Sequence, residues 1–316
     1  MILFSVIIPT FNGEKTIGVL LKKLRQIFYS SSYKYEVIII DSESKDKTLE
    51  VVKKFNRILN LRIFTIKKNE FNHGLTRNLG VSLSKGEYIL FFSQDAVPVN
   101  NNFLDYLISD FKEDDKIVAV FGKEIAPPNV KKNFLFLEHY FWFKRYEEYF
   151  DKKGRVTFSA ENSYLFNEEK MLLYSLSNVF CCYKASFLKR ESFREIYIGE
   201  DILMGQQIIE KGYKKIYDSR CKVYHFHTKF TDYFIRSIND LYFRLYVIKE
   251  PLKLKLKNKL RIITKENSLN TNFFELIIFY LIKALIFVIV LLTRLKHHVL
   301  VFLNKKYKMY LIKKYI

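Results

Sequence analysis

Over the first 125 positions, short runs of consecutive apolar residues alternate with segments whose apolar residues recur every three or four. Phe4–Ile8 reads as a buried strand, and Ile17, Leu20, Leu21, Leu24, Ile27 and Phe28 fall on one face of a helix. The pattern then predicts a strand over Tyr35–Ile40 that stops at Asp41, a helix over Thr48–Phe55 and a strand over Arg62–Ile66. A helix over Leu75–Leu83, a strand over Tyr88–Phe92, a helix over Phe103–Phe111 and a strand over Ile117–Phe121 complete the series. Continuous apolar strands between amphipathic helices imply an α/β fold with a mostly parallel sheet covered on both faces. Ligands of such sheets sit beyond the carboxyl ends of the strands. That rule singles out Asp41, directly after the second strand, and Asp95, two residues beyond the fourth.

The alternation breaks between residues 125 and 175, where Phe134, Phe136, Tyr140, Phe141, Trp142, Phe143 and Tyr146 crowd together. This stretch is expected to form helices and loops over the site. Regular structure resumes at Ser177–Cys182, continues as a helix from about Asp201 to Lys211, and ends in a short strand around Val223 that runs into His225-x-His227. The apolar start of the chain lacks a basic flank and stops at Pro9, so it reads as a strand rather than an export signal. Neither G-x-G-x-x-G nor G-x-x-x-x-G-K-[ST] occurs, which disfavours a dinucleotide oxidoreductase or a P-loop NTPase.

Composition narrows the class. Of the 316 residues 49% are apolar, enough for a sizeable core, which excludes a disordered protein. Three cysteines at no zinc-ribbon spacing argue against a disulfide framework and favour a reducing compartment. The net charge of +20 is unevenly placed: residues 1–240 carry 37 basic and 30 acidic side chains, residues 241–316 carry 16 and 3. A block of that kind seeks phosphate, in nucleic acid or on an anionic membrane.

The same block contains Phe273–Leu292, with 16 Leu, Ile, Val or Phe interrupted by Glu275 and Lys283. At roughly 0.4 kcal/mol each these favour insertion into lipid by about 6 kcal/mol, against roughly 3 for a central Lys. Lysines and arginines flank the stretch on both sides, from Lys253 to Arg261 and from Arg294 to Lys314, and basic flanks resist translocation. A helix lying in the interface, or a re-entrant one, keeps both flanks on the cytoplasmic side; a span and a buried core helix are the alternatives. The basic residues alternate with Leu and Ile rather than with stacking aromatics, so nucleic acid is not the expected partner.

Several polar groups could carry chemistry. Asp41 opens Asp41-Ser42-Glu43-Ser44-Lys45-Asp46-Lys47-Thr48 and can accept from a base N–H or a ribose hydroxyl, while Asp46 and Thr48 suit a helix cap. Asp95 suits a hard divalent cation with phosphate ligands, or a turn before Val97-Pro98. Asn72-His73-Gly74-x-x-Arg77-Asn78-x-Gly80 opens a helix, whose first amides and Arg favour an anion. Gly199-Glu200-Asp201 offers a general base or merely an acidic pair at a helix start. His225 and His227, alternating on an extended segment, face one side and can chelate a metal or be structural.

In this order the pieces resemble glycosyltransferase family 2, the inverting enzymes with a GT-A fold. Val6-Ile7-Ile8-Pro9-Thr10-Phe11-Asn12 is similar to the family's opening strand, and Val37 to Thr48 to its nucleotide-binding segment. Phe71-Asn72-His73-Gly74-x-x-Arg77-Asn78-x-Gly80, Gln94-Asp95-Ala96-x-Pro98, Ser177-Asn178-Val179 and Gly199-Glu200-Asp201 resemble the bacterial rhamnosyltransferase-like branch. The resemblance covers about residues 4–245. It implies a GT-A catalytic domain over 1–245, with a nucleotide-sugar half to about 125 and an acceptor half from 126, followed by a helical basic and apolar extension over 246–316.

It also implies roles. Pro9, Phe11, Asp41 and Ser42 would line the nucleobase and ribose pocket, and Arg77 would hold the sugar diphosphate. Asp95 would match the last Asp of the D-x-D motif and bind Mg²⁺ or Mn²⁺, with His225 or His227 completing the metal site. Asp201 would be the catalytic base, with Asn178 and Glu200 on the acceptor side. Ser93 stands where the motif has its first carboxylate. The implied partners are a nucleoside-diphosphate-sugar donor, a glycan or lipid-linked glycan acceptor and an anionic membrane surface at the cytoplasmic face. The implied activity is transfer of a sugar such as rhamnose in cell-surface polysaccharide synthesis. Another hexose or N-acetylhexosamine donor, a non-catalytic glycan-binding scaffold and a nucleic-acid binder are the competing readings.

Overall fold

The computed structural model describes residues 3–130, 134–167, 169–196 and 199–226, with isolated helical positions at 237, 241, 281, 284, 285 and 288. His227 and most of 273–292 lie outside the described residues. The chain divides into two compact units, one of residues 1–125, 149–168 and 172–225, the other of 126–148, 169–171 and 226–316.

The first unit opens with β1 (Phe4–Thr10), α1 (Ile17–Tyr29), β2 (Tyr35–Asp41), α2 (Thr48–Lys53), β3 (Leu61–Thr65), α3 (His73–Leu83) and β4 (Tyr88–Phe92). Next come β5 (Val97–Pro98), α4 (Phe103–Phe111) and β6 (Ile117–Ile125). The helix α5 (Phe134–Lys144) belongs to the second unit, where the Arg145 guanidinium stacks over Trp142 and pairs with Glu169 at 3.4 Å. Beyond it lie the strand β7 (Arg155–Phe158), the short helix α6 (Lys170–Tyr174), the strand β8 (Phe180–Lys184), the short helix α7 (Ala185–Leu188), then α8 (Glu200–Glu210) and β9 (Lys214–Tyr224).

The strands form one sheet in the order β3-β2-β1-β4-β8-β6-β9-β5, with β7 alongside β9. The first four are mutually parallel, as the alternation in the sequence predicts, and β8 joins antiparallel between β4 and β6. Parallel strands are covered on both faces. Accordingly Val6, Ile7, Ile8, Val37, Ile38, Ile39 and Ile40 are all fully buried. The residues of α1 that form its predicted apolar face are its buried residues.

Several elements depart from the sequence pattern. The helix α3 begins at His73, two residues before the expected Leu75, because the Asn72 side chain caps it, accepting from the Gly74 and Leu75 amides. The 125–175 stretch, expected to be helices and loops, contains the strand β7, whose four residues are too few to show a period. The last strand is far longer than the segment around Val223, because its middle, Asp218-Ser219-Arg220, is polar.

That polar middle is a bulge. On β6 the partner of Gly122 is Asp218, whereas Lys123 pairs with Lys222, so residues 219–221 of β9 are extra. Arg220 closes the loop by donating to the Asp218 carboxylate through its backbone amide and its guanidinium. Fully buried Asp218 and Asp110 lie close enough to repel; Arg220 pairs with both, and Arg155 pairs with Asp110. Burial and then Asp218 push the Asp110 carboxyl up to about 7. The bulge re-aims the ends of both strands, as bulges beside functional sites do, and carries β6 four residues beyond the expected Phe121.

Candidate functional site

The polar groups gather at the carboxyl ends of β1, β2, β4, β6 and β9, where the topology places a ligand. They form a continuous chain of contacts within the first unit.

The chain starts at Asp41, the last residue of β2. Its carboxylate is fully buried and accepts from Thr10 Oγ1 at 3.1 Å, from the Ser44 hydroxyl at 2.6 Å and from the Ser44 amide at 2.9 Å. These bonds shape the Ser42–Asp46 loop. The Ser42 hydroxyl is buried with no hydrogen-bond partner among the described residues. Asp46 accepts from the Glu14 and Thr48 amides and the Thr48 hydroxyl, but Lys47 stands at the helix N-cap position and no side chain caps α2, so the cap expected of this pair is not formed as such. Pro9 and Phe11 are half-buried at the end of β1, and the Lys68 ammonium sits over the Phe11 ring, 4.7 Å from its centroid.

The Gln94 side chain links this corner to the next strand. Its amide group exchanges two hydrogen bonds with the Phe11 backbone, both 3.0 Å. Asp95 follows, partly exposed, in a turn held by the Ser93 amide donating to Val179 O and by the Ala96 amide donating to Ser93 O. Asp95 Oδ1 lies 3.6 Å from His225 Nε2. The other imidazole nitrogen, Nδ1, meets Glu124 Oε2 at 2.6 Å, and Glu124 Oε1 accepts from the Ser177 hydroxyl at 2.6 Å.

Ser177 leads into Asn178, which faces the acidic pair. The Asn178 amide lies 3.5 Å from Asp201 Oδ2, and its side chain donates to Glu200 Oε1 at 3.3 Å while accepting from the Tyr183 hydroxyl at 2.9 Å. Buried Lys215 fastens this loop from behind by donating to the Ser175 carbonyl, its ammonium 4.3 Å from the Phe158 ring centroid. Gly199, with φ of +82°, starts α8 in the left-handed region that glycine tolerates, and so places Glu200 and Asp201 in the first turn.

The two carboxylates differ in surroundings. Glu200 is buried and paired with Arg77 Nη1 at 3.0 Å. Burial opposes its charge, but Arg77, then His73 and Asn178, outweigh it and hold the Glu200 carboxyl below the ordinary glutamate range. Asp201 has no such partner. Burial and then the Glu200 charge push its carboxyl up to about 8, against the weaker pull of Arg77 and two backbone amides. Adjacent carboxylates whose affinities for a proton are driven apart are the arrangement expected around a general base. Arg77 itself is buried and also donates to the His73 carbonyl at 3.0 Å; its Nε has no hydrogen-bond partner among the described residues. Gly74 explains why α3 lies so close to this region: a Cβ there would stand 2.2 Å from the Arg194 carbonyl oxygen.

The structure thus brings Asp95, His225, Asn178, Glu200, Asp201 and Arg77 into one contact series, with Pro9, Phe11, Asp41 and Ser42 joined through Gln94. Among the described residues no group of three His, Cys, Asp or Glu is arranged to hold a metal ion by itself. Sequence reasoning missed Glu124, and it gave Ser177 only as part of a motif, without a role. The same strand-end rule that found Asp41 and Asp95 applies to Glu124, but the strand's apolar run stops at Phe121, three residues short.

The model of glycosyl transferase family 2 matches residues 5–197. The O-antigen chain rhamnosyltransferase RfbN of Salmonella typhimurium is 30% identical over 228 residues, which cover 71% of this chain and 66% of that protein. The poly(ribitol-phosphate) beta-N-acetylglucosaminyltransferase TarS of Staphylococcus aureus is 37% identical over 95 residues, 30% of this chain and 16% of that protein. The chain therefore matches just under two thirds of the first relative's length and a far smaller part of the second's. The crystal structure of S. aureus TarS 1-349 in complex with UDP-GlcNAc shares the fold, with a TM-score of 0.54, 21% identity and coverage of 87% of this chain and 77% of that one. A strand order, a set of strand-end carboxylates and a family match over most of the sheet agree: the chain belongs to glycosyl transferase family 2.

Proposed function

We propose that this chain is an inverting glycosyltransferase that moves rhamnose from a nucleoside-diphosphate-sugar to a hydroxyl of a glycan or lipid-linked glycan in cell-surface polysaccharide synthesis. The observation that carries this is the unbroken series of contacts from Asp41 through Gln94, Asp95, His225 and Glu124 to Asp201. In this reading it would offer a nucleotide corner, a cation-facing carboxylate and a base on one sheet edge. The O-antigen relative supports rhamnose as the sugar. An N-acetylhexosamine donor is the second reading, favoured by the 37% identity to TarS over 95 residues.

In such a transfer the acceptor hydroxyl attacks the anomeric carbon as the nucleoside diphosphate departs. Asp201 takes the hydroxyl proton; Glu200 stays ionised beside Arg77 and thereby keeps Asp201 basic. Asn178 holds both carboxylates in place from the acceptor side. Phe11 offers a ring for a nucleobase, with Pro9, Asp41 and Ser42 shaping that pocket. The resemblance gives Arg77 to the sugar diphosphate; its burial and its bonds to Glu200 and His73 favour an action through Glu200.

Asp95 and His225 fit a divalent cation shared with the diphosphate: one carboxylate and one imidazole, the imidazole oriented by a second carboxylate. A mixed oxygen and nitrogen set suits Mn²⁺ better than the all-oxygen sphere that Mg²⁺ prefers. A cation bound there would neutralise charge on the departing diphosphate. Asp95→Asn is therefore expected to weaken UDP or dTDP binding at least tenfold in the presence of Mn²⁺ and to leave it unchanged with EDTA. Calorimetric titration checks this, and equal loss in both conditions rules out a cation role for Asp95.

The basic, apolar end of the chain is proposed as an attachment to the cytoplasmic face of an anionic membrane. Leu281, Leu285 and Val288 are exposed at helical spacing, in line with an apolar face available to lipid. Each Lys or Arg near such a surface adds about 1 kcal/mol. Removal of residues 273–316 is expected to abolish co-sedimentation with vesicles containing phosphatidylglycerol. Continued sedimentation of the shortened protein removes this reading.

A further inference from the structure

We infer that Glu124 is a positioning residue that orders the cation-facing and base-facing sides of the site with one carboxylate. The inference rests on the transferase reading above.

Three observations carry it. The β9 bulge brings the end of β6 against the end of β9, pairing Glu124 with Val223 and letting the His225 amide donate to Ile125 O at 3.0 Å. Both side chains are largely buried, 11% exposed for Glu124 and 5% for His225, which restricts their movement. Finally, the two carboxylate oxygens are divided between two elements: Oε2 meets His225 Nδ1 and Oε1 meets the Ser177 hydroxyl, each at 2.6 Å.

The chemistry follows from what each group can do. An ionised carboxylate only accepts, so the imidazole places a proton on Nδ1. The nitrogen facing Asp95, 3.6 Å away, is then Nε2, with the ring plane held by the Glu124 bond. A carboxylate behind an imidazole fixes the tautomer and raises its basicity toward a metal. The other oxygen holds Ser177, whose neighbour Asn178 faces Glu200 and Asp201. Glutamine at 124 has the same shape and can still accept from Nδ1–H while donating to the Ser177 hydroxyl, but it carries no charge and so backs the imidazole more weakly.

The test uses the full chain and Mn²⁺, followed by electron paramagnetic resonance with saturating UDP and, separately, dTDP. Glu124→Gln is expected to weaken Mn²⁺ binding about 10- to 100-fold, with metal-free nucleotide affinity kept within about twofold. Ser177→Ala, which removes one neutral donor at a half-buried position, is expected to weaken it about 3- to 10-fold. It also decides the matter if the Glu124 variant does not fold. In ¹⁵N-histidine spectra, the His225 signal, identified by its loss in His225→Gln, is expected to show the Nδ1-protonated form in the wild type. Wild-type Mn²⁺ affinity in the folded variants, or an Nε2-protonated His225, overturns the inference while leaving the transferase reading intact. Unchanged Mn²⁺ affinity in Asp95→Asn overturns the cation reading on which it rests.

Discussion

Replacing Asp201 by Asn is expected to slow sugar transfer by about 10²- to 10⁴-fold, the contribution of a positioned base, with donor affinity changed less than threefold. Among the described residues the Asp201 carboxylate accepts from the Ile202 and Asn178 amides, so the substitution removes the proton acceptor together with one of those two bonds. Single-turnover transfer and equilibrium binding of the sugar nucleotide, measured together, separate the two effects. Loss of donor binding with residual turnover would reject the role. The pH profile adds a second check. The Asp201 carboxyl is pushed up to about 8 by burial and by Glu200, and only its ionised form accepts a proton. The wild-type kcat/KM is therefore expected to rise with pH and level off above about 8. An activity already flat from pH 5 upward contradicts the assignment.

Arg77→Met is expected to have the largest effect on stability. The Arg77–Glu200 pair is buried, with each side chain 7% exposed. Breaking such a pair from one side strands the remaining charge and costs about 3–5 kcal/mol. At about 2–4 °C per kcal/mol for a domain of this size, the thermal midpoint falls by roughly 6–20 °C. Removing the second charge as well, in Arg77→Met with Glu200→Leu, is expected to restore much of the loss, since no lone charge is left buried. The sign with pH also follows. Without Arg77 the Glu200 carboxyl binds its proton more tightly than in the unfolded chain, as Asp201 already does. Stability of the variant should therefore fall more steeply than that of the wild type as pH rises from about 4 to 8. A midpoint within 2 °C of wild type would show that the pair contributes little.

Both predictions depend on a distinction that the sequence could pose but not resolve. Glu200 and Asp201 are neighbours at a helix start, and either could be a base or a simple complement to the helix dipole. Only the fold brings Arg77, 123 residues earlier in the chain, onto Glu200 and leaves Asp201 without a cation. The same holds for the imidazole. His225 is legible as a candidate ligand, but its tautomer is set by Glu124, which lies on a strand extended by a bulge in its neighbour. The insertion Ser219-Arg220-Cys221 and the Asp218 before it break the apolar run that would mark a strand.

By itself, the sequence determined the parallel half of the sheet and pointed to the strand ends now proposed as the site. Burial on both faces demands unbroken apolar runs, and Val6–Ile8, Val37–Ile40 and Tyr88–Phe92 show them directly; the polar residues at or just beyond their ends, Thr10, Asp41 and Ser93, mark the edge proposed for the ligand. It also carried the family motifs. The tertiary structure alone decided where β8 enters, how β7 and the β9 bulge complete the sheet, and which acids pair with which cations. Those outcomes depend on contacts between residues far apart in the chain, whose energies are set by distance and burial rather than by any local period.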